Sequence, residues 1–171
     1  MTRLDDAGFT LVELTMSILI MSVIVVVIGG ALIFGLKTFG STSQRLSESH
    51  DLQLAASYFA PDVASAKTVS VTTDPSCPVS GSVVLTLAWT DPAAGNVVVS
   101  YVAQTITGGK QLVRHLCAAG TAADVIVVHA LGTVGTPVCP TSCSGTPASA
   151  SVSITEADGY PYTLSGSRRA S

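Results

Sequence analysis

The chain up to Leu36 differs from the rest of the sequence in its hydrophobic pattern. Between Phe9 and Leu36 the only charged residue is Glu13, and no polar stripe recurs at helical spacing. A helix of that length is about 42 Å long, more than the roughly 30 Å of hydrocarbon in a bilayer. A helix that packs on one side of a soluble domain would show a polar stripe on its other side. The pattern therefore predicts a helix that can cross a membrane.

Beyond Lys37 the pattern becomes amphipathic, and we expect the same helix to continue to about Ala60. Pro61 is expected to kink or end it, with one more turn in residues 61–66. The apolar stripe expected to face a sheet is Leu52, Ala55, Ala56, Phe59 and Val63. The residues expected to face solvent are Arg45, Glu48, Asp51 and Gln53.

The second half of the chain alternates between apolar and polar residues, which predicts strands. Residues 82–90, 97–106 and 111–117 read as three strands joined by the turns DPAAGN and TGGK. In the third, Leu112, Arg114 and Leu116 share one face. Residues 123–131 form a strand or a short helix, residues 134–148 a loop, and residues 151–167 a final hairpin. A long helix packed on an antiparallel sheet is an α+β fold.

Composition and charge narrow the function classes. The chain has 8 basic and 11 acidic residues, a formal net charge of −3, whereas nucleic-acid-binding proteins usually present a basic face. The sequence therefore gives no signal for nucleic acid.

All four cysteines, Cys77, Cys117, Cys139 and Cys143, lie outside the apolar segment. In an exported domain they are expected to form disulfides, and three pairings are open. A Cys77–Cys117 bridge requires residues 77–81 to fold back, since Cys77 precedes the first strand and Cys117 ends the third.

No catalytic or metal motif is visible. The Cys139 and Cys143 pair lacks the second pair that a zinc site of this kind needs. His50, His115 and His129 are dispersed, and no nucleophile accompanies them. The carboxylates that we expect to be scattered through turns, without a calcium-loop spacing, are Asp62, Asp74, Asp91, Asp124, Glu156 and Asp158. We therefore expect neither an enzyme nor a bound cofactor or metal.

Other kinds of N-terminal signal fit less well. The start MTRLDDAG is net negative, and the apolar run is too long for a cleaved secretory signal and ends in GLKTFG. The first cysteine, Cys77, is too distant for a lipoprotein signal. An uncleaved signal anchor remains an alternative, although it gives Glu13 no role.

The stretch GFTLVE, from Gly8 to Glu13, resembles the cleavage motif of type IV prepilins and type II secretion pseudopilins. The resemblance implies that a membrane peptidase cuts between Gly8 and Phe9, and that Phe9 becomes an N-methylated N-terminus. It also implies that Glu13 pairs with the Phe9 amine of a neighbouring subunit in a filament. Such a pair would set the register of parallel helices.

The same resemblance implies a division of the chain into four parts. Residues 1–8 are a leader peptide, 9–36 a membrane and filament-core helix, 37–66 its amphipathic continuation, and 67–171 a β-rich head with a disulfide-containing loop. Partners are other pilins or pseudopilins, the prepilin peptidase, an inner-membrane assembly platform and, before assembly, membrane lipid. The head lies outside the cytoplasm. We favour a minor pilin or pseudopilin; the rival is a signal-anchored exported β-domain that binds a ligand or acts as an enzyme.

Three glycines interrupt the apolar segment, and two interpretations stay open. Gly29, Gly30 and Gly35 permit close packing of helices in the membrane. They also weaken the helix locally, since glycine costs about 1 kcal/mol relative to alanine.

Overall fold

The computed structural model describes residues 10–169, and the side chains of that range except residues 39–48. The chain divides into two compact units, Met1–Leu46 and Ser47–Ser171. Within residues 10–169 the element order is one helix followed by eight strands, and all of these strands belong to the second unit. The expected α+β class is confirmed.

Helix α1 runs over Leu11–Ser65, so it does not end at Pro61. Proline has no N–H and leaves the carbonyl of Ser57 without its helical donor. Both Ser57 and Pro61 are exposed, which lets water bond to that carbonyl. The helix can therefore include a proline in its last two turns.

The larger sheet is an antiparallel meander of five strands in the order β1-β2-β3-β4-β5. Its strands are β1 (Thr68–Ser70), β2 (Ser82–Asp91), β3 (Gly95–Ile106), β4 (Gly109–Ala118) and β5 (Thr121–Val128). Asp91 fixes the β2–β3 turn because its Oδ1 accepts the N–H groups of Ala93 and Ala94, at 2.8 and 2.9 Å. The three strands expected from alternation are present, and β1 was not expected.

A second sheet of three strands has the order β6-β7-β8. Its strands are β6 (Leu131–Val134), β7 (Ser149–Glu156) and β8 (Pro161–Ser167). The final hairpin is the β7–β8 pair. The fourth apolar run is a strand, β5, rather than a helix. The sequence indicated one sheet; the structure has two because β6 pairs with β7 instead of continuing the meander.

The core of the second unit lies between α1 and both sheets. Ala55, Phe59 and Val63 of α1 are at most 1% exposed, and Gly166 of β8 lies so close to Val63 that an added Cβ would come within 2.6 Å of it. Strand residues of the same core include Leu85, Leu87, Val99, Leu112, Ile154 and Leu164.

Three expectations about polarity are wrong. Ala56 is exposed although it was placed on the apolar stripe. Asp51 was expected to face solvent and is only 3% exposed. Asp62, Asp124 and Glu156 were expected in turns, yet Asp62 lies in α1, Asp124 lies within β5 and Glu156 ends β7. Asp62 and Glu156 are also buried. Asp51 and Asp62 can be buried because each has hydrogen-bond partners, His129 for Asp51 and Arg114 with Tyr101 for Asp62.

Candidate functional site

The apolar segment Leu11–Thr38 is long and hydrophobic enough to cross a membrane, with a mean hydropathy of 2.9. Its large apolar side chains between Leu11 and Leu36 are 45% to 79% exposed. Burying such surface is worth about 25 cal/mol per Å². Within the described part of the chain, the segment therefore lacks the apolar surroundings that its composition requires.

The start of α1 contains the one carboxylate of this segment, Glu13. The N–H of Glu13 donates to the hydroxyl of Thr10 at 3.3 Å, and the N–H of Leu14 donates to the Thr10 carbonyl at 3.2 Å. Thr10 thus caps the helix, and Thr-x-x-Glu is the sequence of a capping box. Glu13 also lies in the first turn, where the helix dipole favours negative charge.

The hydroxyl groups of the segment are satisfied locally. Thr15 donates to the carbonyl of Val12 at 2.9 Å, and Ser17 donates to that of Glu13 at 2.8 Å. Ser22 and Thr38 make the same kind of bond to carbonyls one turn earlier. Such bonds remove the penalty of placing a hydroxyl in hydrocarbon. The carboxylate of Glu13 has no such local bond among the described contacts.

The three glycines of the segment border open space. A Cβ added at Gly29, Gly30 or Gly35 would meet nothing within 4 Å. No contact within the described chain therefore requires glycine at these positions, and both interpretations of them stay predictions.

The unit Ser47–Ser171, called the head from here on, contains a buried ion pair between α1 and the larger sheet. Arg114 donates from Nε to Oδ2 of Asp62 at 2.7 Å and from a terminal nitrogen to Oδ1 at 2.8 Å. Tyr101 donates to Asp62 Oδ2 at 2.7 Å, and the Tyr58 ring lies 4.9 Å from Arg114 Cζ. Burial alone would lower the pKa of Arg114, but the hydrogen bonds and charge of Asp62 outweigh it and raise that pKa. Burial, reinforced by the charge of Asp62, raises the pKa of Tyr101.

A second polar contact joins α1 to the chain between β5 and β6. Asp51 accepts the backbone N–H of His129 at 2.7 Å and contacts its Nδ1 at 2.9 Å. The Asp51 side chain is 4% exposed and that of His129 is 58% exposed. These contacts explain why α1 carries acidic residues on its buried side.

All four cysteines form disulfides, Cys77–Cys117 and Cys139–Cys143. The condition stated for the first pairing is met, because residues 77–81 fold back along the sheet: Ser80 contacts Gln104, and Cys77 lies near Val98 of the same strand. Cys77 reaches Val98, which pairs with Cys117 in the neighbouring strand.

The loop of residues 71–81 is fixed in part by Ser76. Its backbone N–H and its hydroxyl both donate to the Asp74 carboxylate, at 2.8 and 2.6 Å, and these bonds lower the pKa of Asp74.

One histidine belongs to a cluster with the first disulfide. His115 lies on the face of β4 opposite Arg114, its Nδ1 contacts Asp124, and its Nε2 lies 3.4 Å from Cys117 Sγ. Cys77, His115 and Cys117 place their ligand-type atoms within 4.8 Å of one another. His50 is exposed and His129 is engaged with Asp51, so the three histidines do not form one site.

Comparison with protein-family models, with curated proteins and with solved structures finds no match for this chain.

Of the residues singled out in the sequence, Gly8 and Phe9 lie outside the described residues. Glu13 is placed at the start of α1, and the cysteines are brought together in pairs. The Asp62, Arg114 and Tyr101 cluster was missed. One signal could have found its cationic member: Arg114 shares a strand face with Leu112 and Leu116, where a charge requires a partner.

Proposed function

We propose that this chain is a structural subunit of a type IV pilus-like or type II secretion filament, of the minor pilin or pseudopilin class. The observation that carries the proposal is the exposed apolar segment with a single carboxylate in its first turn. In a bilayer, lipid would cover this surface, and in a filament the helices of other subunits would cover it. The head has its own core and would remain outside the cytoplasm, decorating the filament.

Processing would create a partner for the Glu13 carboxylate, which has none among the described residues. An ionisable side chain in a membrane helix costs about 2.5–3.5 kcal/mol at the bilayer centre and less near its ends. A cut between Gly8 and Phe9 frees an amine that can carry positive charge. In a staggered array of parallel helices, the Glu13 carboxylate of one subunit would pair with the Phe9 amine of the next. The prepilin peptidase and an inner-membrane assembly platform are the partners that this pathway requires.

The rival function is a signal-anchored exported β-domain with a ligand-binding or enzymatic role. The capping-box spacing of Thr10 and Glu13 favours it, because a glutamate side chain at this position can accept the N–H of the capping residue and so has a local role in starting the helix. The two functions differ in what they require of Glu13. A filament needs its negative charge, whereas a capping box accepts glutamine equally.

The pair Glu13→Gln and Glu13→Ala separates these requirements. The filament proposal predicts that both variants are cleaved after Gly8 and that both enter sheared filaments at least about tenfold less than wild type, the loss expected when about 1.4 kcal/mol of pairing is removed. Immunoblotting of filament and membrane fractions with an antibody against the head measures this. If capping is the whole role of Glu13, Glu13→Gln will behave as wild type.

Ser17→Ala is the matched control for a polar change in the same segment. Its hydroxyl bonds only to the Glu13 carbonyl among the described contacts, so its loss should leave incorporation unchanged. Normal incorporation of Glu13→Gln, together with normal cleavage, would contradict the charge-pairing mechanism.

A further inference from the structure

The Cys77–Cys117 disulfide is part of a cluster whose third member is an imidazole. Cys77 is fully buried, Cys117 is half-buried, and the His115 side chain is 17% exposed. Cys117 and His115 are two residues apart on β4, so strand alternation puts them on the same face. The loop of residues 71–81 brings Cys77 to that face. The three side chains therefore meet on this face of the sheet.

The orientation of the imidazole is fixed by a carboxylate. Asp124 pairs with His115 across β4 and β5 in the strand register and contacts its Nδ1. A carboxylate that accepts the Nδ1 proton leaves the Nε2 lone pair directed at the sulfur of Cys117, 3.4 Å away. Histidines that bind metal commonly have such a carboxylate on the second ring nitrogen, which sets the tautomer and the ring orientation.

The distances between the three ligand atoms suit an ion with tetrahedral coordination. With Zn–S near 2.3 Å and Zn–N near 2.0–2.1 Å, a sulfur and a nitrogen ligand lie about 3.6 Å apart, and two sulfur ligands about 3.8 Å apart. The observed Sγ to Nε2 distance is 3.4 Å, and all three ligand atoms lie within 4.8 Å of one another. The one change required is separation of the two sulfurs, which the disulfide holds together.

We propose that the reduced form of Cys77 and Cys117, together with His115, binds one thiophilic divalent metal ion of the zinc class. A dithiol reductant supplies two electrons and two protons, closes to its own disulfide, and leaves two thiols at Cys77 and Cys117. Metal binding displaces the two thiol protons. Two thiolates and one imidazole occupy three positions of the ion, and water takes the fourth.

The disulfide and the metal are then alternative links between the same loop and the same strand. In an oxidising compartment the loop of residues 71–81 is joined to β4 by the covalent bond. Under reducing conditions, as before export, the ion makes the same connection. Structural metal sites stabilise folds in this way because the ligands are brought together only in the folded chain. This inference is independent of filament assembly.

The test uses Co²⁺ as a probe and the full chain in detergent, in a Cys139→Ser/Cys143→Ser background that leaves one pair of thiols. After reduction with a phosphine and removal of oxygen, we expect one Co²⁺ per chain, with a sulfur-to-cobalt charge-transfer band and the strong visible absorption of a tetrahedral ion. Zn²⁺ should displace it. Without reduction no thiolate band should form.

Variants test the two roles assigned to the histidine and the carboxylate. His115→Ala removes a ligand and should shift or abolish the visible spectrum. Asp124→Asn should keep the spectrum and weaken binding by about 10–100-fold, the usual effect of removing such a partner. His50→Ala, at an exposed position of α1, is the matched control and should bind as the parent does.

Three results would overturn the proposal. One is a reduced, folded head that shows no thiolate band, and another is a spectrum and affinity that His115→Ala leaves unchanged. If reduction unfolds the head, as the near-ultraviolet circular dichroism of Trp89 would report, then Zn²⁺ must restore the signal. Failure to restore it would also refute the site.

Discussion

Apolar side chains are exposed in the segment Leu11–Thr38 and mostly buried in the unit Ser47–Ser171. In the segment, the large apolar residues up to Leu36 are at least 45% exposed. In the head, Leu85, Leu87 and Val99 have no exposed surface. The head buries its hydrophobic surface by folding, whereas no described residue covers the apolar side chains of the segment. This difference supports the proposal that the segment is the part of the chain that assembles.

The two regions also differ in how they satisfy polar groups. In the segment, Thr15 and Ser17 bond to carbonyls three and four residues earlier. In the head, Asp62 pairs with residues 39 and 52 positions away, and Asp51 with one 78 positions away. Local bonds keep a helix self-sufficient in lipid, while long-range pairs hold a tertiary fold together. Substitutions in the head should therefore change its stability and leave membrane anchoring intact.

The largest effect is expected from Arg114→Ala, which leaves Asp62 buried without its cation. Removing one partner of a buried ion pair typically costs about 3–5 kcal/mol. Denaturant unfolding of the full chain in detergent, followed by the fluorescence of Trp89, measures the loss. Arg169→Ala, at an exposed arginine, is the matched control and should change stability little. A loss below about 1 kcal/mol for Arg114→Ala would mean that the pair does not hold α1 to the sheet.

The two disulfides should contribute unequally because they close loops of different length. The separation is 40 residues for Cys77–Cys117 and 4 for Cys139–Cys143. Chain-entropy arguments give about 4 kcal/mol for the longer loop and about 2 kcal/mol for the shorter. Serine pairs at each disulfide, compared by the same unfolding assay, test this order. Equal losses would show that loop length does not govern their contributions.

A smaller effect on the stability of the head is expected at alkaline pH, from the ionisation of Tyr101. Burial and Asp62 raise the pKa of Tyr101 above its ordinary value of 10.0, so the folded head keeps a phenol proton that the unfolded chain loses. The contribution of this proton to the free energy of unfolding is fully present below pH 10. Above pH 10 it falls by about 1.4 kcal/mol per pH unit for one group. Tyr101→Phe should reduce this dependence and leave the part that comes from Tyr162, whose pKa burial also raises. An ultraviolet titration in which Tyr101 ionises near pH 10 while the head stays folded would contradict it.

Much of the fold follows from local pattern, and the failures share a cause. Alternation and turn residues were enough to place β2, β3 and β4. Asp51 was assigned to solvent because helical spacing treats every carboxylate alike, and its partner His129 lies far along the chain. The pairing of Cys77 with Cys117 was left open because it depends on the path of residues 71–81, which has no periodicity. Strand β6 and the second sheet were not predicted, because the pairing of β6 with β7 depends on tertiary structure and not on a pattern within residues 131–134.

The candidate functional residues also divide into those that are visible in the sequence and those that only the fold brings together. Glu13 could be found from sequence because a charge inside a long apolar run is visible without tertiary structure. The cluster of Cys77, His115 and Cys117 could not, since its members come together only through the fold-back of one loop and the register of two strands.

The measurement that tests the central claim most directly is the N-terminus of the mature protein, determined by mass spectrometry on chain isolated from cells that carry the peptidase. The account predicts a chain that begins at Phe9 and bears one N-methyl group. A chain that still begins at Met1 or Thr2, in cells where the protein is membrane-bound and folded, would contradict filament assembly through the Phe9 amine and Glu13.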